Sequence, residues 1–258
     1  MPFHNTFDTI TPTQMTEKTE EKGSMIDELF KAGAHFGFVK ARRHPSAKPF
    51  IFGTKNNIEV LDLEKTKPEL EKALSFVSKK GEEGATGMFV AGKSEAREAT
   101  TAAGTTLSMP YVAGRWIGGT LTNFSEIKKR IARLEELTEQ REKGELGKYT
   151  KKERLLIDRD IEKLTRFFGG LGSMRSLPKF MVVVDPKKEH IAVSEARRMN
   201  IPVVALAGTD TNLHEVEYAI PANDSSRQSI NYIIGLLVEA YKEGQANAPK
   251  KETEKITN

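Results

Sequence analysis

The sequence contains no cysteine in 258 residues, a single tryptophan and only 7% aromatic residues. The absence of cysteine excludes a disulfide scaffold, a cysteine-ligated zinc site and a thiol nucleophile. No apolar run approaches the roughly 18 residues of a membrane-spanning helix, so we expect no membrane partner. The first 24 residues include Glu17, Glu20 and Glu21 and hold no apolar segment. We therefore predict no secretory signal peptide and a cytoplasmic location.

The composition indicates one folded core with polar ends. Hydrophobic residues make up 38% and charged residues 29%, and the formal net charge is +4. Residues 1–24 and 242–258 are polar and show no regular hydrophobic pattern, so we predict a disordered extension and a disordered tail. The small net charge alone does not indicate nucleic acid, which makes the position of the charges decisive.

Short apolar runs alternate with helical patterns along the folded part. The apolar runs cover residues 58–63, 88–91, 111–113, 180–184, 203–207 and 219–220, and helical patterns cover 64–79, 94–103, 189–199 and 226–241. The runs show little inside–outside alternation, as expected for strands buried on both faces. The sequence therefore predicts an α/β domain over residues 25–123 and 169–241, with a mostly parallel sheet and helices on both faces.

Residues 124–168 interrupt this alternation because they contain no strand candidate. Two capping-box patterns, Asn123 with Glu126 and Thr150 with Glu153, begin two helical segments. The second segment carries apolar residues at the 4-3-4 spacing of a heptad seam. We predict an antiparallel helical hairpin that protrudes from the sheet, since its other faces are densely charged. The alternative is a helical pair packed flat on the domain.

The strongest charge signal is a window without any acidic residue, from Leu29 to Ile58. Binding of phosphates requires cations without carboxylates nearby. The alternative is a solvated basic loop whose phenylalanines, at positions 36, 38, 50 and 52, anchor it to the core. We predict both: the phenylalanines face inward and the cations face RNA. The candidate RNA-binding residues of this window are His35, Lys40, Arg42, Arg43, His44, Lys48 and Lys55.

A second candidate site is the glycine-flanked stretch 114–123. It contains the only tryptophan, Trp116, beside Arg115, which is the only charged residue between Glu98 and Glu126. Paired glycines allow backbone amides to approach a phosphate closely. The alternative is a tight turn with Trp116 packed in the core. The predicted RNA-binding residues here are Arg115, Trp116, Thr122 and Asn123.

Patterns that suggest an enzyme are present but weak. Residues 87–94 match G-x-x-x-x-G-K-[ST], yet the four intervening residues are themselves the predicted strand, so no phosphate-binding loop can form. Asp185 and Asp210 follow strands, where open α/β sheets bind ligands, but Asp185-Pro186 resembles a helix N-cap. A nucleotide-dependent enzyme using Lys93 remains the alternative function, and a partner-binding adaptor acting through the hairpin is a third.

Taken together, these motifs resemble the bacterial-type ribosomal protein S-two family of the small ribosomal subunit. The N-terminal pieces are residues 32–37, 48–53 and 61–66, and the central piece is 115–123. Later pieces follow in the same order up to the segment 220–224. The resemblance covers about residues 25–241. The loop 38–45 is more basic and less aromatic here than in relatives.

The resemblance implies a flavodoxin-like α/β domain with a projecting coiled-coil hairpin. It also implies a structural, non-enzymatic constituent of the small ribosomal subunit that supports translation, with no cofactor, no metal and no small-molecule substrate. The implied partners are 16S-type ribosomal RNA, other small-subunit proteins and, in some bacteria, ribosomal protein S-one. Among the candidate residues, the RNA-facing role carries over best to His35, Lys48, Arg115, Trp116, Thr122 and Asn123.

Overall fold

A computed structural model describes residues 25–248 of the chain. The predicted N-terminal extension, 1–24, lies outside the described residues, as does the end of the predicted tail. The described part begins with a short helix, α1, at residues 25–31. None of the described helices is both long and apolar enough to cross a membrane.

The core is a five-stranded parallel sheet. Its strands are β4 (Gly87–Ala91), β5 (Tyr111–Val112), β6 (Phe180–Val184), β7 (Val203–Ala207) and β8 (Tyr218–Pro221). The spatial order is β5-β4-β6-β7-β8. Numbered along the chain among themselves, these strands stand in the order 2-1-3-4-5, which is that of flavodoxin-like doubly wound sheets. The predicted α/β architecture with a parallel sheet is confirmed.

Helices cover both faces of this sheet because its central strands are apolar on both sides. All five residues of β4, β6 and β7 are buried, and alternate residues join two separate clusters. The helices of the first face are α2 (Leu63–Glu82), α3 (Arg97–Leu107) and α7 (Arg227–Asn247). On the second face lies α6 (His190–Arg198), and the buried residues of α4 (Phe124–Glu142) and α5 (Lys151–Phe168) belong to the same cluster.

A second, smaller sheet precedes the parallel one and was not predicted. Strands β1 (Phe36–Val39), β2 (Ile51–Lys55) and β3 (Ile58–Leu61) pair antiparallel in the order β1-β3-β2. The strand predicted from the run 58–63 therefore belongs to this sheet and not to the parallel one. Asn56 and Asn57, with φ of 51° and 63°, form the two-residue connection between β2 and β3, as a type I′ hairpin turn requires.

The segment 124–168 forms the two predicted helices, α4 and α5, which pack against each other. Thr150 and Glu153 make the predicted capping box. Asn123 precedes α4 but makes no side-chain capping bond, so the first predicted capping box is wrong. Of the predicted seam, Ile161, Leu164 and Phe168 are buried.

The C-terminal helix extends further than predicted. α7 continues to Asn247, so the predicted tail boundary at 242 is too early. The reason is close packing on α2. A Cβ on Gly81 would lie 2.3 Å from the Tyr241 carbonyl oxygen, and one on Gly244 would lie 1.9 Å from that of Ser78. Glycine lets the two backbones touch, and the last turn of α7 is held there.

This close approach predicts opposite effects for two glycine substitutions. Gly81→Ala is expected to lower the free energy of unfolding by about 2–3 kcal/mol, because the new methyl group meets backbone that cannot rotate away. Gly235→Ala on α7 is the matched control, since nothing lies within 4 Å of its Cβ position. That variant should gain about 0.5–1 kcal/mol from helix propensity. Urea denaturation measures both, and equal effects would contradict the proposed contact.

Candidate nucleic-acid interface

The two predicted RNA-binding segments lie at the same edge of the parallel sheet. The stretch 114–123 directly follows β5. The basic window is joined to the loop that follows β7: Thr209 Oγ1 accepts from the Phe38 amide at 2.9 Å, and the Thr209 carbonyl accepts from the His44 amide at 2.9 Å. Parallel strands all end at one edge, and neighbouring strands are about 4.8 Å apart. The strands that these segments follow or contact, β5 and β7, are three strand spacings apart, or about 15 Å.

Two predicted RNA-binding arginines form ion pairs with carboxylates from elsewhere in the chain. Arg43 Nη1 lies 3.0 Å from Oε1 of Glu59, whose side chain is fully buried. Arg42 Nη2 lies 3.2 Å from Oδ2 of Asp210, which Lys187 also contacts at 2.9 Å. Arg43 neutralises a buried acid and its side chain is 29% exposed, which leaves less of it for RNA than the sequence predicts. The side chain of Arg42 stays 56% exposed and can still contact a ligand.

Both histidines of the window make contacts within the chain. His44 caps the short 3₁₀ helix Pro45–Phe50: its Nδ1 accepts from the Ser46 amide at 3.2 Å and lies 2.7 Å from Ser46 Oγ. His35 lies between the rings of Phe30 and Phe36, at centroid distances of 4.3 and 4.1 Å. Burial lowers the pKa of His35. Burial therefore favours the neutral imidazole, which is a weaker partner for a phosphate than a charged one.

The phenylalanines of the window do not all anchor it as predicted. Phe50 packs on a small cluster with Ala47 and Leu213. Phe38 is partly buried beneath two cations, with Arg42 4.8 Å and Lys93 5.5 Å from its ring centre. Phe36 and Phe52 are 50% and 80% exposed. Residues two apart share one face of a regular strand, but the pairing of β1 and β2 with β3 is irregular at these positions, between Phe36 and Val39 and between Ile51 and Gly53. One phenylalanine of each pair is therefore exposed.

The three candidate lysines of the window face solvent, as predicted. Lys40, Lys48 and Lys55 are exposed. None of them forms an ion pair with another residue in the range 25–248. Lys40 follows β1, Lys48 lies in the 3₁₀ helix, and Lys55 ends β2. These three ammonium groups are therefore available to a polyanion.

A single buried carboxylate holds the stretch 116–122 in place. Oε1 of Glu195, on α6, accepts from Trp116 Nε1 at 3.2 Å and from the Gly119 amide at 2.7 Å. Oε2 accepts from the amides of Leu121 and Thr122 at 3.0 and 3.2 Å, and from Thr122 Oγ1 at 3.3 Å. Although desolvation opposes ionisation, these donors lower the pKa of Glu195. The carboxylate of Glu195 is therefore charged, and both of its oxygens accept hydrogen bonds from the chain.

This arrangement separates structural from exposed residues in the second segment. Trp116 is only 6% exposed, so its predicted RNA-facing role needs correction: the ring fills the core and its N–H serves Glu195. The glycine amides likewise donate to a carboxylate of the chain itself and not to a phosphate. Arg115, Thr122 and Asn123 are exposed. Arg115 makes no ion pair with any residue that the structure describes.

Lys93, the residue on which the alternative enzyme hypothesis depends, also forms ion pairs within the chain. Its Nζ lies 2.9 Å from Oδ2 of both Asp185 and Asp224. Desolvation opposes its charge, yet the charge and hydrogen bonds of the two aspartates prevail and raise the pKa of Lys93. Burial raises the pKa of Asp224. Met88–Ala91 lies in strand β4, as predicted, so no phosphate-binding loop precedes Lys93.

Asp185 is not the predicted helix N-cap. Its φ is 61°, and Oδ1 accepts from the Lys188 amide at 3.0 Å within a turn. The α6 helix begins only at His190. The predicted position of Asp185 and Asp210 just beyond strand ends is confirmed, and both hold cations of the chain itself there.

Comparison with known proteins gives one consistent result. The family profile described as "Ribosomal protein S2" matches residues 29–244. A protein of Acidothermus cellulolyticus called "Small ribosomal subunit protein uS2" is 42% identical over 231 residues, which is 89% of this chain and 84% of that protein. A Nocardia farcinica protein of the same name is 42% identical over 224 residues, covering 86% of this chain and 79% of that protein.

Proposed function

Because the chain belongs to the ribosomal protein S2 family, of bacterial type, we propose that it binds 16S-type ribosomal RNA through the carboxyl edge of its parallel sheet. Members of this family are structural, non-enzymatic constituents of the small ribosomal subunit, and this chain has that role in translation. The observation that carries the RNA proposal is the set of exposed cations at this edge that have no carboxylate partner among residues 25–248. They include Lys40, Lys48, Lys55 and Arg115.

The interface that we propose is smaller than the sequence indicates, and its parts have different tasks. Arg43, His44 and Trp116 shape the loops and do not touch RNA. The free lysines, Arg115 and the exposed part of Arg42 replace counterions on RNA phosphates. The exposed Asn123 side-chain amide adds hydrogen bonds to phosphate or ribose oxygens, and the Thr122 hydroxyl, which donates to Glu195, can accept from a ribose hydroxyl. This contact reads the shape of folded RNA rather than its sequence.

We also propose that residues 124–168 form a coiled-coil hairpin that projects from the α/β domain. At its far end Leu137 and Leu146 are buried, although that end has only the two helices and their connection to pack on. Leu155 and Leu156 on α5 are 50% and 55% exposed. An exposed pair of leucines on a charged helix fits a contact with a neighbouring small-subunit protein. The family implies ribosomal protein S-one as a candidate partner. It also implies a cytoplasmic location.

A salt series tests the RNA proposal. About five phosphate contacts should make the affinity for 16S-type ribosomal RNA fragments fall by roughly two to three orders of magnitude between about 50 and 200 mM salt. The variant K40Q/K48Q/K55Q should reduce the slope of log affinity against log salt by about 2–3. Filter binding measures both quantities.

The matched control removes three positive charges on α2. The variant K65Q/K72Q/K79Q changes exposed lysines on the helix-covered face and should leave the slope almost unchanged. A flat salt response of the wild-type chain would reject RNA binding by counterion release. Equal effects of the two triple variants would reject the proposed position of the interface. Deletion of 124–168 followed by sedimentation with small subunits separates the role of the hairpin from that of the loops.

A further inference from the structure

A cavity of about 490 Å³ lies beside β5, the edge strand of the parallel sheet. It opens between the beginning of α3 and the end of α5, where the helical pair meets the α/β domain. Gly170 keeps this junction close, because a Cβ there would lie 2.2 Å from the Tyr111 carbonyl oxygen. The backbone of Gly170 therefore packs directly on that of Tyr111 at one side of the cavity.

The wall of this cavity carries three arginines and no acidic residue. Arg97 is the first residue of α3, Arg115 follows β5, and Arg166 lies in the last turn of α5. All three are exposed, and none forms an ion pair with a residue in the described range, 25–248. What distinguishes these three arginines is that they share one concave wall without a carboxylate among its lining residues.

The position of Arg97 is unfavourable for the helix itself. The first turn of a helix carries a partial positive charge, so a cation at that position destabilises it. Three like charges around one concave wall also repel one another, and a cleft lined by one sign of charge concentrates the field. Both costs disappear when an anion binds. Guanidinium groups match the oxygens of a phosphate with paired, planar hydrogen bonds.

We propose that this cavity binds a phosphate group of the RNA backbone through Arg97, Arg115 and Arg166. The inference rests on the proposed RNA-binding function and extends the interface to two residues outside the basic window and the stretch 114–123. Arg97 opens the helix after β4, and Arg115 follows β5, so both lie at the edge that carries the free lysines. The hydroxyl groups of Thr101 and Thr165, also in the wall, can donate to the remaining phosphate oxygens.

The test uses the full chain and the variant R97Q/R115Q/R166Q. At about 0.1 M salt this variant should bind 16S-type ribosomal RNA fragments about 10- to 100-fold more weakly than the wild type, with the salt slope reduced by about 1 for the one phosphate contact that is lost. The variant K65Q/K72Q/K79Q removes the same charge on α2 and should keep wild-type affinity within about twofold. Thermal unfolding followed by circular dichroism checks that both variants are folded.

A second arm separates RNA from free phosphate as the source of the anion. Calorimetry with inorganic phosphate should show only weak, millimolar binding to the wild type, because a single free phosphate lacks the other backbone contacts. If the arginine variant binds RNA like the wild type, the cavity proposal is rejected while the RNA function stands. Tight phosphate binding by the wild type, lost in the variant without loss of RNA affinity, would also reject it. If the wild type fails to bind ribosomal RNA, the proposed function itself fails.

Discussion

Replacing Arg43 with alanine should lower the free energy of unfolding by about 3–5 kcal/mol. The Glu59 side chain is fully buried on β3, and its Oε1 pairs with Arg43 at 3.0 Å. Its other oxygen, Oε2, has no hydrogen-bond partner among the described residues. Removal of the guanidinium therefore leaves a buried charge with no compensation. Urea denaturation at pH 7, with an unchanged m value, measures the loss.

Arg42→Ala is the matched control for this prediction. Arg42 is the neighbouring arginine and also pairs with an acid, but Asp210 keeps Lys187 when Arg42 is removed. We expect a loss below about 1 kcal/mol. The double variant R43M/E59M should recover most of the stability, because apolar replacement of both partners removes the desolvation cost. Equal losses for the two single variants would contradict a structural role for Arg43.

The parallel sheet could be predicted from the sequence because its signal is local. Runs such as Phe180–Val184 are apolar throughout and stand between helical patterns, so burial on both faces follows directly. The small antiparallel sheet was missed although one signal was present. Asn56-Asn57 between two apolar runs favours a hairpin, but the charge pattern of the surrounding window gives no information on strand pairing.

The ion pairs of the candidate site could not be predicted, because their acids are distant in the sequence or lie just outside the window. Asp210 is 168 residues from Arg42, and Glu59 follows the acid-free stretch by one position. A count of charges along the chain treats these arginines like Lys48, whereas the fold gives two of them an internal partner. The same limit applies to Trp116, whose partner Glu195 is 79 residues away.

Substitution of Glu195 by glutamine should cost about 3 kcal/mol and should make stability less dependent on pH in the acidic range. Glutamine has the same shape as glutamate, but its N–H₂ group faces at least two of the five groups that donate to Glu195. These groups are Trp116 Nε1, the amides of Gly119, Leu121 and Thr122, and the Thr122 hydroxyl. Each lost bond is charge-assisted and each stranded donor is buried or half-buried. The stretch 116–122 loses the carboxylate that shapes it.

The pH dependence of the stability follows from the direction in which folding shifts the pKa of Glu195. The folded state lowers the pKa of Glu195 below the value of 4.5 of a free glutamate, so the unfolded state takes up the proton first as the pH falls. The stabilisation by Glu195 is therefore complete well above pH 4.5. It declines as the pH drops below 4.5 and through the folded pKa.

Thermal unfolding of the wild type and Glu195→Gln should therefore differ most near neutral pH and converge in acid. Glu162→Gln on the exposed surface of α5 is the control, and it should stay within about 0.5 kcal/mol of the wild type throughout this range. If the difference in stability between wild type and Glu195→Gln stays constant down to pH 3, packing holds the loop and the carboxylate charge does not. Because Arg115 precedes the loop that Glu195 holds, the variant should also weaken RNA binding while the protein remains folded.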